Sequence, residues 1–384
     1  MIKSYKYRIY PNDCQKHLLL NNFGACRFIF NRALALKKQR YEQYKDNLGV
    51  YEIAKMITFW KKTDELKWLK LANLSSLQQE LLHLDSAYKK FFKGQGFPKF
   101  KKKSNYQTLT VPNCIRVDGD KIKFPTLGLL KANGLREMEG KLKSGTITKT
   151  ATNKYFISLN VDDGKKLPKL KKGKKVIGID LGLTNFITLS DGTKIDNPKL
   201  SKNYRHRLTH LQRKLSKCQI GSKNRDKARQ RLAILHEKIA NKRADFLHKL
   251  STKLVRENQA NIFKVEKLNV EGMKQNHCLA GAVSDASWSE FIRMLKYKAL
   301  WNGKQVIQVD TFFPSSKLCS KCGVKNTKLT LNDRTWTCKC GQEHDRDINA
   351  AINLKNCTDR LSGSEACGEH SLEVQRSKKS LSRR

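Results

Sequence analysis

Three acidic residues stand where acids are costly. Asp180 follows the apolar run Val176-Ile177-Gly178-Ile179, just ahead of a Gly182 turn. Glu266 closes a second apolar stretch, Ile262-Phe263-Lys264-Val265, and Asp347 lies in the run His344-Asp345-Arg346-Asp347-Ile348-Asn349-Ala350-Ala351. A carboxylate on a buried strand is unfavourable unless it is paired or bound to a cation. Hard oxygen ligands of this kind suit Mg2+ or Mn2+. Two such ions about 4 Å apart would activate a water and steady the leaving oxygen of a phosphodiester. Each acid also has a plain reading: Asp180 as a turn cap, Glu266 as the partner of Lys264 or Lys267, Asp347 as a helix N-terminal charge. Strand acid, strand-end acid and helix acid, in that order, are what an RNase H-like α/β fold needs to bring three carboxylates together. Asp345 competes with Asp347 for the third place. The spacing to Asn349-Ala350-Ala351 favours Asp347 and leaves Asp345 and His344 as helix-start or substrate contacts.

A second constellation is built of thiols. Cys319-x-x-Cys322 and Cys338-x-Cys340 form two short knuckles separated by fifteen residues. Zinc takes four tetrahedral ligands, and two thiolates from each tight turn supply them. Gly323 and Gly341 follow the second cysteine of each pair, where a turn needs permissive backbone. With all four positions filled by protein the role is structural, and His344 is an unneeded fifth candidate. The other seven of the eleven cysteines are scattered singly, which reads as ordinary thiols rather than a disulfide framework.

The elements that must carry these residues follow from pattern. Residues 1–10 alternate as a strand, Pro11-Asn12-Asp13 breaks it and caps a helix, and a basic helical pattern continues to about residue 95. Residues 105–160 change to short strands with Gly and Asn at the turns. A basic linker spans 162–174. Beyond it, 175–195 reads as a hairpin with a second turn at Asp191-Gly192, and 202–258 as a basic helical hairpin interrupted near Gly221. Residues 260–268 form a buried strand, and 285–303 a helix with Ser287 and Glu290 spaced as a capping box. A strand over 304–313, the cysteine module and a helix from about 344 complete the pattern. The tail from 356 has the composition of a disordered segment.

Charge narrows the partners. The 384 residues carry 78 Lys and Arg against 34 Asp and Glu, a formal charge of +44, spread through every segment. A chain this positive implies extensive phosphate contact. Mean hydropathy is −0.63. No apolar run approaches the roughly 20 residues of a membrane span, and the start shows no signal-peptide pattern, so the expectation is a cytoplasmic protein.

These motifs together, GIDLGLTNF, FKVEKLNVEGM, SDASWSEF, FFPSSKLCSKCG, RTWTCKCG and HDRDINAAINL, with YKYRIYPN and GFPKFKKK near the start, resemble the TnpB (OrfB) proteins of small bacterial insertion sequences, relatives of the compact type V CRISPR nucleases. The resemblance covers nearly the whole chain except the tail. It implies a multidomain α+β protein. A small β-barrel-like wedge domain is split into 1–10 and 105–172, around a helical recognition domain at 11–104. A RuvC-like nuclease domain follows at 173–355, with a zinc ribbon inserted at 316–343, and the tail is 356–384. The implied activity is Mg-dependent DNA cutting guided by an RNA from the transposon end. The protein would read a short adjacent motif on double-stranded target DNA, in a prokaryotic, nucleoid-associated setting. Asp180, Glu266 and Asp347 match the catalytic positions; Tyr51 and Gln78 are candidates for reading the adjacent motif, although both types are ordinary on helix surfaces. A heteroduplex gripped by its backbone suits Lys and Arg distributed everywhere.

Three alternatives compete. A non-cleaving RNA-guided repressor would keep charge and ribbon but lose acids, which here are intact. A transposase proper could use the same three acids, yet no helix-turn-helix is evident. A ribosome-associated zinc protein explains the charge but not the acids.

Overall fold

The structure, a computed structural model, describes residues 1–103, 107–170, 175–330 and 333–357. It falls into two compact units, the first of Met1–Leu167 with Arg205–Asn241, the second of Pro168–Tyr204 with the residues described from Lys242 on.

In the first unit, the alternating IKSYKYRIY forms β1 (Ile2–Tyr10), which buries Tyr7 and Ile9. Pro11 ends the strand. Asn12 then accepts a hydrogen bond from the Gln15 N–H while the Gln15 side chain accepts from the Asn12 N–H, a capping box that starts α1 (Asp13–Tyr44). Next come α2 (Val50–Trp60), a 3-10 segment at Asp64–Leu71 and α3 (Leu74–Phe91). Six strands follow: β2 (Gln107–Pro112), β3 (Arg116–Asp118), β4 (Lys121–Phe124), β5 (Gly128–Asn133), β6 (Lys141–Lys149) and β7 (Tyr155–Asp162). All join one antiparallel sheet in the order β2-β6-β7-β1-β5-β4-β3, so the N-terminal strand lies between strands more than 120 residues later. Among the described residues no pairing joins the edge strands β2 and β3. The sheet nonetheless curls on itself, since a Cβ added at Gly145 in β6 would lie 3.5 Å from the Phe124 ring of β4.

The second unit begins with β8 (Val176–Leu181), β9 (Asn185–Leu189), β10 (Lys194–Asp196) and the single turn α4 (Leu200–Asn203). The turn at Asp191-Gly192 is present, with Gly192 at a φ of 89°. α5 (Arg205–Lys217) and α6 (Lys223–Glu257) flank the expected break at Gly221; the division between units falls inside α6, so Arg205–Asn241 groups with the first unit. Then come β11 (Ile262–Glu266), α7 (Val270–Gln275), α8 (His277–Ala286), α9 (Trp288–Trp301), β12 (Gln305–Val309), the short pair β13 (Thr335–Thr337) and β14 (Glu343–Asp345), and α10 (Arg346–Asn356). The sheet order is β10-β9-β8-β11-β12. The first three strands form an antiparallel meander, and β8, β11 and β12 run parallel. The core beneath it includes Ile179, Phe186, Phe263, Val265, Trp288 and Phe291.

One expected cap is absent. Ser287 occupies a left-handed joint between α8 and α9, makes no side-chain cap, and donates its hydroxyl to the Ser284 carbonyl. Asp285 and Ala286 already belong to α8, so Ser287 ends one helix as it begins the next, and Glu290 pairs with Arg293 instead. The tail lies, from residue 358, outside the described residues, as does 171–174 of the linker. Among the described residues no helix is long and apolar enough to cross a membrane.

α10 packs tightly on β8. A Cβ added at Gly178 would lie 1.9 Å from the Ala351 carbonyl oxygen and 2.7 Å from the Lys355 nitrogen. Both are helix backbone atoms with no room to yield. Gly178→Ala should therefore lower the unfolding free energy by about 2–3 kcal/mol. Gly281→Ala in α8, where an added Cβ meets nothing within 4 Å, should leave it unchanged or raise it. Urea midpoints of the two variants make the comparison.

Candidate active site

Register brings the first two acids together. β8 and β11 run parallel with Ile179 opposite Val265, so the next residues, Asp180 and Glu266, project side by side from the same face. Gly178, two residues before Asp180, shares that face and is where α10 rests. α10 meets the strand at Ala351, and Asp347 lies one turn before it on the same helix side, about 6 Å along the axis. Two strand residues span about 6.6 Å, so Asp347 is carried to the level of Asp180.

The electrostatics agree with this placement. Burial raises the Asp180 carboxyl well above its ordinary value, and the negative charges of Glu266 and Asp347 raise it further, against Arg346. Burial likewise lifts Glu266 to about 7, against an opposing hydrogen bond from the Leu181 backbone. Asp347 is half-buried, with an Arg334 nitrogen 3.9 Å from its carboxylate. Lys264, a candidate partner of Glu266, instead donates to the Cys357 carbonyl at the far end of α10.

The same local geometry separates Asp345 from Asp347. Asp345 is the N-cap of α10: one oxygen accepts from the Asp347 and Ile348 N–H groups, each at 3.1 Å, and the other takes Lys194 at 2.6 Å. Burial raises its carboxyl, but Lys194 and the two N–H donors outweigh burial and the net shift is downward. Both its oxygens are thus already engaged in holding the helix start.

The cysteines converge. Among the described residues, Cys319, Cys322, Cys338 and Cys340 are the one group of three or more His, Cys, Asp or Glu whose ligand atoms all lie within 4.8 Å of one another. Cys319 and Cys340 sulfurs are 3.7 Å apart, Cys322 and Cys338 sulfurs 3.5 Å. Four sulfurs each about 2.3 Å from a tetrahedral centre would be about 3.8 Å apart, so the quartet fits such a cation. Gly323 and Gly341, at φ of 75° and 82°, donate to the Cys319 and Cys338 carbonyls and close the two knuckles. Buried His344 brings Nε2 to 3.0 Å from the Cys319 sulfur and stacks on Trp336. Its Nε2 is thus engaged at the thiol cluster. Burial raises Cys319, but N–H donors of Cys322 and Lys321 together with His344 bring it down to about 5, towards the thiolate a metal requires.

Two further residues join the constellations. Asn349 donates to the Leu318 carbonyl at 2.6 Å and accepts from the Ser320 N–H at 2.9 Å, inside the first knuckle. Asn353, one turn on, donates to the Ser315 and Leu318 carbonyls. Positions 349 and 353 lie about 200° around the helix from 347 and 351, so α10 holds the carboxylate sheet on one side and the cysteine module on the other. Their i, i+4 spacing would have marked them as a pair; nothing about asparagine alone announces a clamp.

Tyr51 and Gln78 lie on exposed faces of α2 and α3 in the first unit, Tyr51 being 83% exposed.

A multidomain α+β chain with this mixed sheet and a four-cysteine module ahead of its last helix has the fold of the compact type V nucleases. A solved Cas12f1–sgRNA–target DNA complex superposes with a TM-score of 0.57 at 14% identity, covering 93% of this chain and 99% of the other. Residues 156–277 match the OrfB family model of IS605 elements, described as a probable transposase, and residues 288–354 match a Cas12f1-like TNB domain. Residues 1–46 match a model described as a helix-turn-helix domain, although none is evident in the sequence, and the backbone there is β1 followed by the uninterrupted α1. A Streptomyces pristinaespiralis protein provisionally named an RNA-guided DNA endonuclease is 38% identical over 92% of this chain and 88% of its own. Escherichia coli InsQ, provisionally named likewise, is 31% identical over 92% and 91%. The chain belongs to the TnpB (OrfB) family of IS605-type elements.

Removing the clamp leaves the Ser320 N–H without its partner and the Leu318 carbonyl with Asn353 alone. Asn349→Ala should therefore cost about 2–3 kcal/mol of stability and speed the labelling of Cys319 by a thiol reagent. Asn356→Ala, at an exposed site on the same helix, should do neither.

Proposed function

We propose that this chain is an RNA-guided DNA endonuclease of an IS605-type element, cutting at Asp180, Glu266 and Asp347 in a RuvC-type, RNase H-like domain. The observation that carries the reading is the parallel register that sets Asp180 beside Glu266, facing the helix that bears Asp347. A meander followed by two parallel strands is the topology such a domain needs. The further domain reading is a wedge of 1–10 with 105–172, a recognition domain at 11–104 and a nuclease domain at 173–355. Tyr51 and Gln78 remain candidates for reading a short DNA motif. The partners are a guide RNA from the transposon end and double-stranded target DNA, and the +44 charge is suited to both.

The donor chemistry fits divalent cations: of the three carboxylates, Asp180 and Glu266 are held above their ordinary titration range by burial, and Asp180 further by its acidic neighbours. Bound Mg2+ or Mn2+ would supply an activated water and charge stabilisation at the scissile phosphate. Asp180 and Glu266 would hold one side of that pair from rigid strands and Asp347 the other from α10. Asp345 and Lys194 fix the helix start from which Asp347 projects. The cysteine quartet would hold structural zinc, keeping the module that braces α10 folded.

Asp180→Ala, Glu266→Ala and Asp347→Ala should each slow Mg2+-dependent cutting of a guide-matched duplex by about a thousandfold or more, while RNA binding persists. The losses should not add, because one missing ligand already disables the unit. Asp345→Asn, which keeps an oxygen for the cap, should retain cutting; full activity in Asp347→Ala would remove that residue from the site. The family description as a transposase keeps strand joining as a second reading, and products ending in free termini rather than joined strands decide against it.

Elemental analysis should find one zinc per chain, absent in the Cys319→Ser/Cys322→Ser variant. Sequencing of copurified RNA should return one dominant species, whereas a random cellular sample would oppose guided recognition.

A further inference from the structure

The lysine-rich segment after α3 has no regular secondary structure from Gly96 to Lys103, yet it is held at several points. The Asn31 side chain on α1 donates to the Lys101 carbonyl at 2.9 Å and accepts from the Lys101 N–H at 2.7 Å. The Lys101 ammonium turns inward to Glu80 of α3 at 2.5 Å and lies over the Phe30 ring at 4.3 Å. Glu80 is 1% exposed and also meets His83 at 3.4 Å. Pro98 is buried, and Gln107 at the start of β2 donates to the Lys103 carbonyl at 2.8 Å.

With Pro98 and Lys101 turned in, Lys99, Lys102, Lys103 and the 52%-exposed Phe100 are left outward. No acidic residue occurs between Asp85 and Asp118 to neutralise them. A buried ion pair and a two-bond asparagine pin are a costly way to shape a loop whose outer face is only solvated. They make sense if that face must be presented in one geometry.

We infer that residues 97–103 form a preorganised strap for a phosphodiester backbone, with Lys99, Lys102 and Lys103 on phosphates and Phe100 against a sugar or base. The inference rests on the reading of the chain as a nucleic-acid-binding protein. Holding the loop beforehand removes the ordering cost that a flexible basic loop would meet on binding.

The strap makes an unusual demand on Glu80. Deleting an acid from a protein that binds polyanions ordinarily tightens binding; here the acid secures the strap. The full-length protein is titrated with a 20-nucleotide single-stranded RNA and with a 20-base-pair DNA duplex, over a range of salt. Lys99→Gln/Lys102→Gln/Lys103→Gln should flatten the slope of log affinity against log salt by about 2 on RNA or about 3 on duplex. Glu80→Gln should weaken binding by about three- to tenfold despite one more net positive charge. Loss confined to one probe identifies the strand that lies on the strap, and loss on both assigns it to phosphodiester backbone of either kind. The surface triple variant touches no buried contact, so it remains decisive if Glu80→Gln melts early. An unchanged slope in the triple variant, or tighter binding by a folded Glu80→Gln, would overturn the strap. Wild-type protein that binds neither probe would instead overturn the nucleic-acid reading beneath it.

Discussion

The backbone-to-backbone approach of α10 and β8 at Gly178 governs the geometry of the second unit. Helix and strand normally stand apart by the thickness of their side chains. Here glycine opposite Ala351 removes that layer, and an added Cβ would lie 1.9 Å from helix backbone. The contact fixes the helix height over the sheet, and every polar feature of α10 is measured from it. One turn toward the helix N-terminus is Asp347, level with Asp180. Toward the C-terminus, Lys264, opposite Gly178 in the register, reaches the Cys357 carbonyl and places a cation where the helix dipole is negative. On the other side, Asn349 and Asn353 carry the cysteine module. A small translation of α10 would disturb all three.

That rigidity is needed because the acids do not hold themselves together. Asp180 and Glu266 both titrate above their ordinary values, so the folded chain binds their protons more tightly than the unfolded chain does. Stability from that linkage is fully present below the unfolded carboxylate range and is lost as pH rises through about 7 for Glu266. At neutral pH the ionised cluster therefore opposes folding unless a cation joins it. Arg346 offsets part of the repulsion at Asp180, and Arg334 stands near Asp347. The hydrophobic sheet core and the Gly178 contact supply the rest of the support. Asp345 behaves oppositely: its lowered carboxyl favours folding at neutral pH because its partners are already in place.

Much of this was legible in the chain. Apolar runs ending in an acid placed β8 and β11 correctly, and the Asp191-Gly192 turn and the break at Gly221 fell where the glycines put them. The cysteine spacing foretold a converging quartet. What the chain concealed depends on tertiary partners. Ser287 with Glu290 has capping-box spacing, but the preceding helix claims Ser287 in a left-handed joint. His344 could have faced substrate or metal, and only the fold shows its Nε2 against Cys319. The grouping of Arg205–Asn241 with the first unit has no local signal, since a basic amphipathic helix looks alike against either neighbour.

A common device holds two segments that lie outside the helices and sheet strands. In each, an asparagine on a helix presents its carbonyl to a backbone N–H and its amide to a backbone carbonyl, replacing the pair of bonds a neighbouring strand would have made. Asn31 does this for Lys101 alone; Asn349 does it for Ser320 and Leu318 within the first knuckle. The side chain is short, so the clamped segment must follow the helix closely, and the two bonds fix its direction as well as its distance. Chains with +44 formal charge have little to gain from adding apolar surface around segments meant to stay wet. A directional polar clamp secures such a segment from one side while leaving its outer face open. The same chemistry therefore serves a cationic loop in the first unit and a thiol module in the second, fixing each from the side of one helix.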